Sequence, residues 1–168
     1  MILRLITPRR TSEKLVGLDP AQLASGGIRG VILDLDNTVL PWGSPAPAAD
    51  VVAWVKRLRA AGIQACIVSN NFSARIRRVG EQLGIPVVGR ALKPAPAGFR
   101  RAMAIMGTRP ATTALIGDQL FTDVLGGNLL GMYTILVEPL SPHEFPTTRL
   151  VRRIERLFRS RVVKRVSA

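Results

Sequence analysis

The sequence predicts an α/β fold, a parallel sheet with helices on both faces. Three observations carry this. Short runs that are almost wholly apolar, such as 31–35 and 133–137, recur along the chain. Segments of helical period alternate with them. Residues capable of chemistry fall just beyond the apolar runs. Strands buried on both faces lose the in–out alternation of a half-exposed sheet, which separates a covered parallel sheet from an antiparallel one. Strand–helix alternation then gives right-handed crossovers and one shared edge where all the strand ends emerge.

The elements follow in order. Residues 1–25 read as a short helical or irregular arm of mixed apolar and basic residues, and Gly26, Gly27 and Gly30 punctuate the entry to the first strand, 31–35. A helix over 51–60 carries Val52, Val55 and Leu58 at helical spacing, and a strand follows at 63–68. A helix over 73–83 places Ile76, Val79 and Leu83 on one face. Then come a short strand at 86–88, a helix over 97–106, a strand at 114–117, a helix over 122–130 and a strand at 133–137. The gaps between strand ends hold one helix and one strand each, with no room for an inserted cap domain. The domain boundaries read as arm 1–25, α/β domain 26–140 and C-terminal segment 141–168.

Composition narrows the chemistry. At 168 residues and 47% hydrophobic, the chain is one domain with a proper core. A single cysteine, Cys66, leaves no intrachain disulfide, and a single histidine, His143, leaves no Cys/His metal cluster. No run of about 18 apolar residues is present to span a membrane. Lys and Arg number 24 against 11 acids, a net charge of +13. Residues 149–168 concentrate this surplus, with one acid, Glu155. Such a balance points to a polyanionic partner, whether nucleic acid, an anionic membrane surface or a phosphorylated substrate.

Four of the few acids sit in two short motifs. The first strand runs straight into Asp34 and Asp36, then Asn37 and Thr38. Ser69, Asn70 and Asn71 follow the second strand; Lys93 stands in ALKPAP; Asp118 and Asp123 lie in GDQLFTD. Ligands in open α/β sheets bind beyond the carboxyl ends of strands, so these four clusters converge. Carboxylates without His or Cys suit a hard cation with oxygen ligands, foremost Mg2+. Ser69 with the following amides, together with Lys93, can hold an anionic group. Metal, lysine and amides around one phosphate form a clamp for phosphoryl transfer. One Asp can attack phosphorus while another protonates the leaving oxygen. Each residue also has a plainer reading. Ser69 could cap the next helix, Asp123 could be an N-terminal helix charge, and Lys93 alone is an ordinary surface lysine. Asn37 and Asn70 either orient loops or touch substrate, and Arg75, the helix arginine nearest the strand end, is expected to reach substrate.

The motifs DLDNT, VSN, the KP lysine and GDxxxxD, in this order, resemble the haloacid-dehalogenase-like (HAD) phosphatases over residues 28–138. Longer strings, GIRGVILDLDNTVLPW and IGDQLFTDVLGGNLLGMYTILVEPL, resemble the YqeG group and its phosphatidylglycerophosphate phosphatase relatives. The resemblance implies a HAD-like Rossmannoid sheet without a cap. It implies Asp34 as nucleophile and Asp36 as general acid/base, with Ser69 and Lys93 holding the phosphoryl group. Mg2+ would be bound by Asp34, the backbone carbonyl of Asp36 and Asp118, with Asp123 assisting through water. It also implies hydrolysis of phosphatidylglycerophosphate to phosphatidylglycerol.

Residues 149–166 read as a basic amphipathic helix with Leu150, Ile154, Leu157, Phe158, Val162 and Val166 along one stripe. Such a helix binds an anionic membrane surface or packs on the sheet. The expected setting is cytoplasmic, peripheral to the inner face of a membrane. The competing readings are a nucleic-acid end phosphatase, which the charge favours and the 5% aromatic content disfavours, and a non-catalytic binding module.

Overall fold

A computed structural model describes residues 2–142, 153–155, 157–159, 162 and 166. Six parallel strands form one sheet in the order β1 (Arg10–Ser12), β6 (Tyr133–Val137), β5 (Thr113–Gly117), β2 (Gly30–Leu33), β3 (Gln64–Val68), β4 (Val87–Val88). The expected α/β class and parallel sheet are present. No further domain interrupts the described chain between β2 and β6.

Both faces of the sheet are covered, which explains the apolar strands. Val31, Leu33, Ala65, Ile67, Ala114 and Ile116 belong to one buried cluster, together with Trp54 and Leu58 of helix α3 (Ala49–Ala60) and Ile76 and Val79 of α4 (Ala74–Leu83). The intervening Ile32, Cys66, Val68 and Leu115 pack on Phe99, Ala102 and Met103 of α5 (Pro96–Met106). Cys66 is buried in that second layer, and burial pushes its thiol up to about 12 against the opposing pull of Arg101. It is therefore an inert core residue.

The arm differs from expectation. Helix α1 (Ile2–Leu5) is followed by β1, which pairs with β6 at the sheet edge from Arg10↔Ile135 to Ser12↔Val137. A three-residue strand of Arg, Thr and Ser is held by backbone bonds and carries no apolar period to reveal it. Further on, Asp19 caps α2 (Pro20–Ser25) by accepting the Ala21 N–H. Leu15, Leu18 and Leu23 enter the main core. The Trp54 indole N–H donates to the Leu18 carbonyl at 2.7 Å, satisfying a buried donor and tying the arm to α3.

The C-terminal residues that are described also pack inward. Val162 is buried with Ile6, Leu120, Val124 and Leu136, and Phe158 meets Phe121 edge to face. The Glu155 carboxylate accepts the Phe121 N–H at 2.9 Å. Ile154 and Leu157, by contrast, are exposed. The stripe expected over 149–166 is thus split between core and surface, and its Leu150 lies outside the described residues.

Candidate active site

Strand β2 delivers the first acid. The Asp34 N–H continues the ladder to the Ile116 carbonyl, and the chain then turns tightly, with the Val39 and Leu40 amides returning to the Leu35 carbonyl. Asn37 takes the left-handed conformation that this turn needs, with φ of 66°, a region Asn enters more readily than most residues. Its side-chain oxygen accepts from the Trp42 amide and from the Ser141 hydroxyl. Asn37 therefore fixes the loop that carries Asp34 and Asp36.

Lys93 stands at the centre. Its ammonium donates to Asp34 Oδ1 at 2.5 Å and to Asp123 Oδ1 at 2.7 Å. All three groups are buried. The lysine backbone is held on both sides by Asn70, whose Oδ1 accepts the Lys93 N–H at 2.6 Å and whose Nδ2 donates to the Lys93 carbonyl at 3.3 Å. Asp123 comes from a π-helical turn, Leu120–Val124, which stands where an ordinary first helical turn was expected before α6 (Leu125–Leu130). This wider turn is frequent at functional sites. Gly117 makes the approach possible, because a Cβ there would lie 2.3 Å from Asp123 Oδ2.

Asp34, Asp118 and Asp123 each offer a carboxylate oxygen within 4.8 Å of the others. Burial pushes Asp34 up to about 6 despite Lys93, and Asp123 likewise to about 6. Burial pulls the Lys93 ammonium down, but Asp123 and Asp34 outweigh it, so it is raised and stays charged. Three carboxylates and one ammonium leave an excess of negative charge in a buried place. All the donors are oxygen, so a hard divalent cation fits the set.

The linkage has a definite sign. Asp34 and Asp123 are raised from 3.8 to about 6, so the metal-free folded protein holds protons there that the unfolded chain has released. Their contribution to stability is full below about pH 4 and is lost as pH rises through 6. The metal-free protein is expected to melt several degrees higher at pH 5 than at pH 7.5. The gap should shrink in Asp123→Asn and on adding a saturating divalent cation. Thermal melts in chelator and in metal check this, and a gap unchanged by either treatment rejects the electrostatic account.

The remaining expected residues fall around this centre. Ser69 is buried, and its hydroxyl oxygen accepts the Asn71 N–H at 3.2 Å. Ser73, not Ser69, caps the following helix. The Asp36 carboxylate lies outside the three-carboxylate group and pairs with Arg75 at 2.5 Å. This orientation is compatible with its expected contribution to a cation, which is through the backbone carbonyl. Arg75 also donates to the Ser44 carbonyl at 3.1 Å. Arg75 was expected at the substrate, but its described bonds go to the acid/base candidate and the loop beside it.

Two supporting residues had no assigned role. The Thr38 hydroxyl donates to Asp118 Oδ1 at 3.3 Å. Arg159 donates to the Asp118 and Val137 carbonyls at 3.3 and 3.1 Å and pairs with Glu138 at 2.9 Å, so this C-terminal residue braces the Asp118 loop. A hydroxyl two residues beyond the second Asp was visible in DLDNT. Nothing local marks Arg159 among its neighbouring arginines.

Residues 40–131 match the haloacid dehalogenase-like hydrolase family. The chain is 36% identical over 156 residues to the Probable phosphatase YqeG of Bacillus subtilis, covering 93% of this chain and 91% of that protein. It is 27% identical over 162 residues to the chloroplastic/mitochondrial phosphatidylglycerophosphate phosphatase 1 of Arabidopsis thaliana, covering 90% of this chain and 47% of that protein. The chloroplastic phosphatidylglycerophosphate phosphatase 1 of Chlamydomonas reinhardtii is 29% identical, with 94% and 62% covered. Among solved structures, the cobalt-bound deoxy-D-mannose-octulosonate 8-phosphate phosphatase of Haemophilus influenzae superposes with a TM-score of 0.56 at 24% identity, over 69% of this chain and 70% of that one. That likeness is one of fold. With the family match spanning more than half of the chain and a relative aligned over nearly its whole length, the chain belongs to the haloacid dehalogenase-like hydrolases.

Proposed function

We propose that the protein is a Mg2+-dependent phosphomonoesterase that works through an aspartyl-phosphate, with phosphatidylglycerophosphate as its substrate. The observation that carries the reaction class is the buried Asp34–Lys93–Asp123 cluster with Asp118 at the carboxyl edge of the sheet. An Asp34 oxygen attacks phosphorus, and the P–O bond to the alcohol breaks. Asp36, two residues on, delivers the proton to the leaving oxygen and then takes one from the water that opens the acyl phosphate. Arg75 holds the Asp36 carboxylate in place between these steps. Lys93 and Ser69 orient the transferring group. Mg2+, when bound by Asp34, Asp118 and Asp123, supplies charge compensation for the phosphoryl oxygens.

The substrate reading draws on the two plant and algal relatives and on the open site. Without an inserted domain over the strand ends, the body of the substrate must help to exclude water. Docking on an anionic membrane surface, with the arginines of 149–168 contributing, and residence at the inner membrane face belong to the same proposal. Among the described residues, no helix is long and apolar enough to cross a membrane.

One phosphate-release assay tests this. Phosphatidylglycerophosphate in detergent micelles is expected to exceed a 5′- or 3′-phosphorylated oligonucleotide at least about tenfold in kcat/KM, and activity should vanish in excess EDTA. Preference for the oligonucleotide would favour the nucleic-acid reading. No release from any ester would favour a binding module.

A further inference from the structure

Three loops leave the carboxyl ends of the adjacent strands β2, β3 and β4, and each presents a large apolar side chain to solvent. They are Trp42, 38% exposed, Phe72, 49% exposed, and Leu92, 75% exposed. The second and third loops interlock. The Arg90 N–H donates to the Asn71 carbonyl, and Phe72 lies directly on Gly89, where a Cβ would meet its ring at 2.3 Å. Arg77 and Arg90 both stand 5.7 Å from the Phe72 ring centroid. Arg90 and Leu92 are both left-handed, with φ of 52° and 54°. Non-glycine residues carry strain there, and such strain gathers at functional sites. Here it frames Ala91, which is buried, between an exposed Arg90 and an exposed Leu92, immediately before the buried Lys93.

Aromatic and aliphatic tips interleaved with guanidinium groups form an interfacial surface. The apolar parts enter the headgroup region and the cations meet anionic lipid. Arg90 in the third loop and Arg77 on α4 beside the second, within a chain of net charge +13, set the sign of the partner. We infer that Trp42, Phe72 and Leu92, with Arg77 and Arg90, form a rim that seats the catalytic edge on an anionic lipid bilayer. This deepens the lipid reading of the same site and rests on it. It assigns the docking to the loops around the site, apart from any contribution of the C-terminal arginines. Seated in this way, the bilayer closes the open side and brings headgroup phosphates to the depth of Lys93.

The double variant Arg90→Asn with Leu92→Asn tests the rim. Asn tolerates the left-handed conformation, so both positions keep their backbone while losing charge and apolar surface. The probe is cosedimentation with phosphatidylcholine vesicles carrying phosphatidylglycerol and no phosphatidylglycerophosphate, with hydrolysis of para-nitrophenyl phosphate measured in parallel. Vesicle partition is expected to fall about tenfold, with the soluble ester hydrolysed within about twofold of wild type. Trp42→Gln should independently remove binding that survives high salt. Equal vesicle binding by wild type and by both variants overturns the proposal. So does a wild-type chain that ignores these vesicles. Hydrolysis of phosphatidylglycerophosphate in detergent micelles scores the lipid-phosphatase reading separately, since micellar substrate needs no docking on a bilayer.

Discussion

Asp34→Asn is expected to abolish phosphate release, by about 10⁴-fold or more, while leaving the metal-free protein at least as stable as wild type at pH 7.5. The two halves have different causes. The amide cannot attack phosphorus, so the acyl phosphate never forms. The amide oxygen can still accept from the Lys93 ammonium, which keeps its second bond to Asp123. Burial pushes the Asp34 carboxyl up to about 6, so at pH 7.5 the wild type carries an ionised group where a neutral one is preferred. A neutral isostere removes that penalty. The variant should also respond less to a divalent cation in a thermal melt, having lost one of three buried carboxylates. Turnover near the wild-type rate would falsify the assignment of Asp34 as nucleophile. A lower melting temperature in chelator would reject the account of its burial.

What the sequence discloses here is what local pattern can encode. The runs around Val31, Ile67 and Leu115 disclose a doubly covered sheet, because residues on both of its faces are buried. Asp34 and Asp118 are legible because ionisable residues directly after apolar strands have little structural reason to be there, whereas Asp123, set further on in a helical turn, is legible only through its spacing from Asp118. The edge strand Arg10–Ser12 is not legible, since polar residues paired only through backbone leave no periodicity. The π-helical turn at Leu120–Val124 is likewise hidden, because its extra residue changes the helix phase and not its composition. Side-chain partnerships are the least legible. Thr38 meets Asp118 across 80 positions, Arg75 meets Asp36 across 39, and Arg159 meets the Asp118 carbonyl across 41. These bonds depend on the sheet order β5–β2–β3 and on the placement of Arg159 beside the strand ends, and neither is written in a short window. They also change roles. Arg75 reads as a substrate contact by its place near a strand end, yet its described bonds orient Asp36 and the Ser44 loop.

Lys93→Met is expected to lose activity about 10²- to 10⁴-fold and, unlike Asp34→Asn, to destabilise the metal-free protein at neutral pH. Methionine matches the lysine stem, so the packing around Ala91 and the Asn70 clamp on the backbone is retained. What disappears is the ammonium that bridges Asp34 and Asp123 at 2.5 and 2.7 Å. Removing one partner from a buried ion pair costs about 3–5 kcal/mol, because the other charge is left uncompensated, and here two carboxylates are left. Their response is to bind protons. Both are already raised to about 6 with Lys93 in place, and its loss moves them further up. The folded variant then holds protons at neutral pH that the unfolded chain has released, so its stability is retained in acid and lost as pH rises through this raised range. In chelator, the melting temperature should fall well below wild type at pH 7.5 and approach it at pH 5. A divalent cation should raise the variant's melting temperature more than the wild type's at pH 7.5, since it meets carboxylates with no competing ammonium. Activity would stay low in that cation-stabilised form, because the phosphoryl group has lost its fixed positive partner. Melts at both pH values, with and without metal, and one rate measurement suffice. A deficit equal at pH 5 and pH 7.5 would mean that Lys93 supports the fold by packing and not by charge. Full activity in the metal-loaded variant would remove it from the phosphate-binding role.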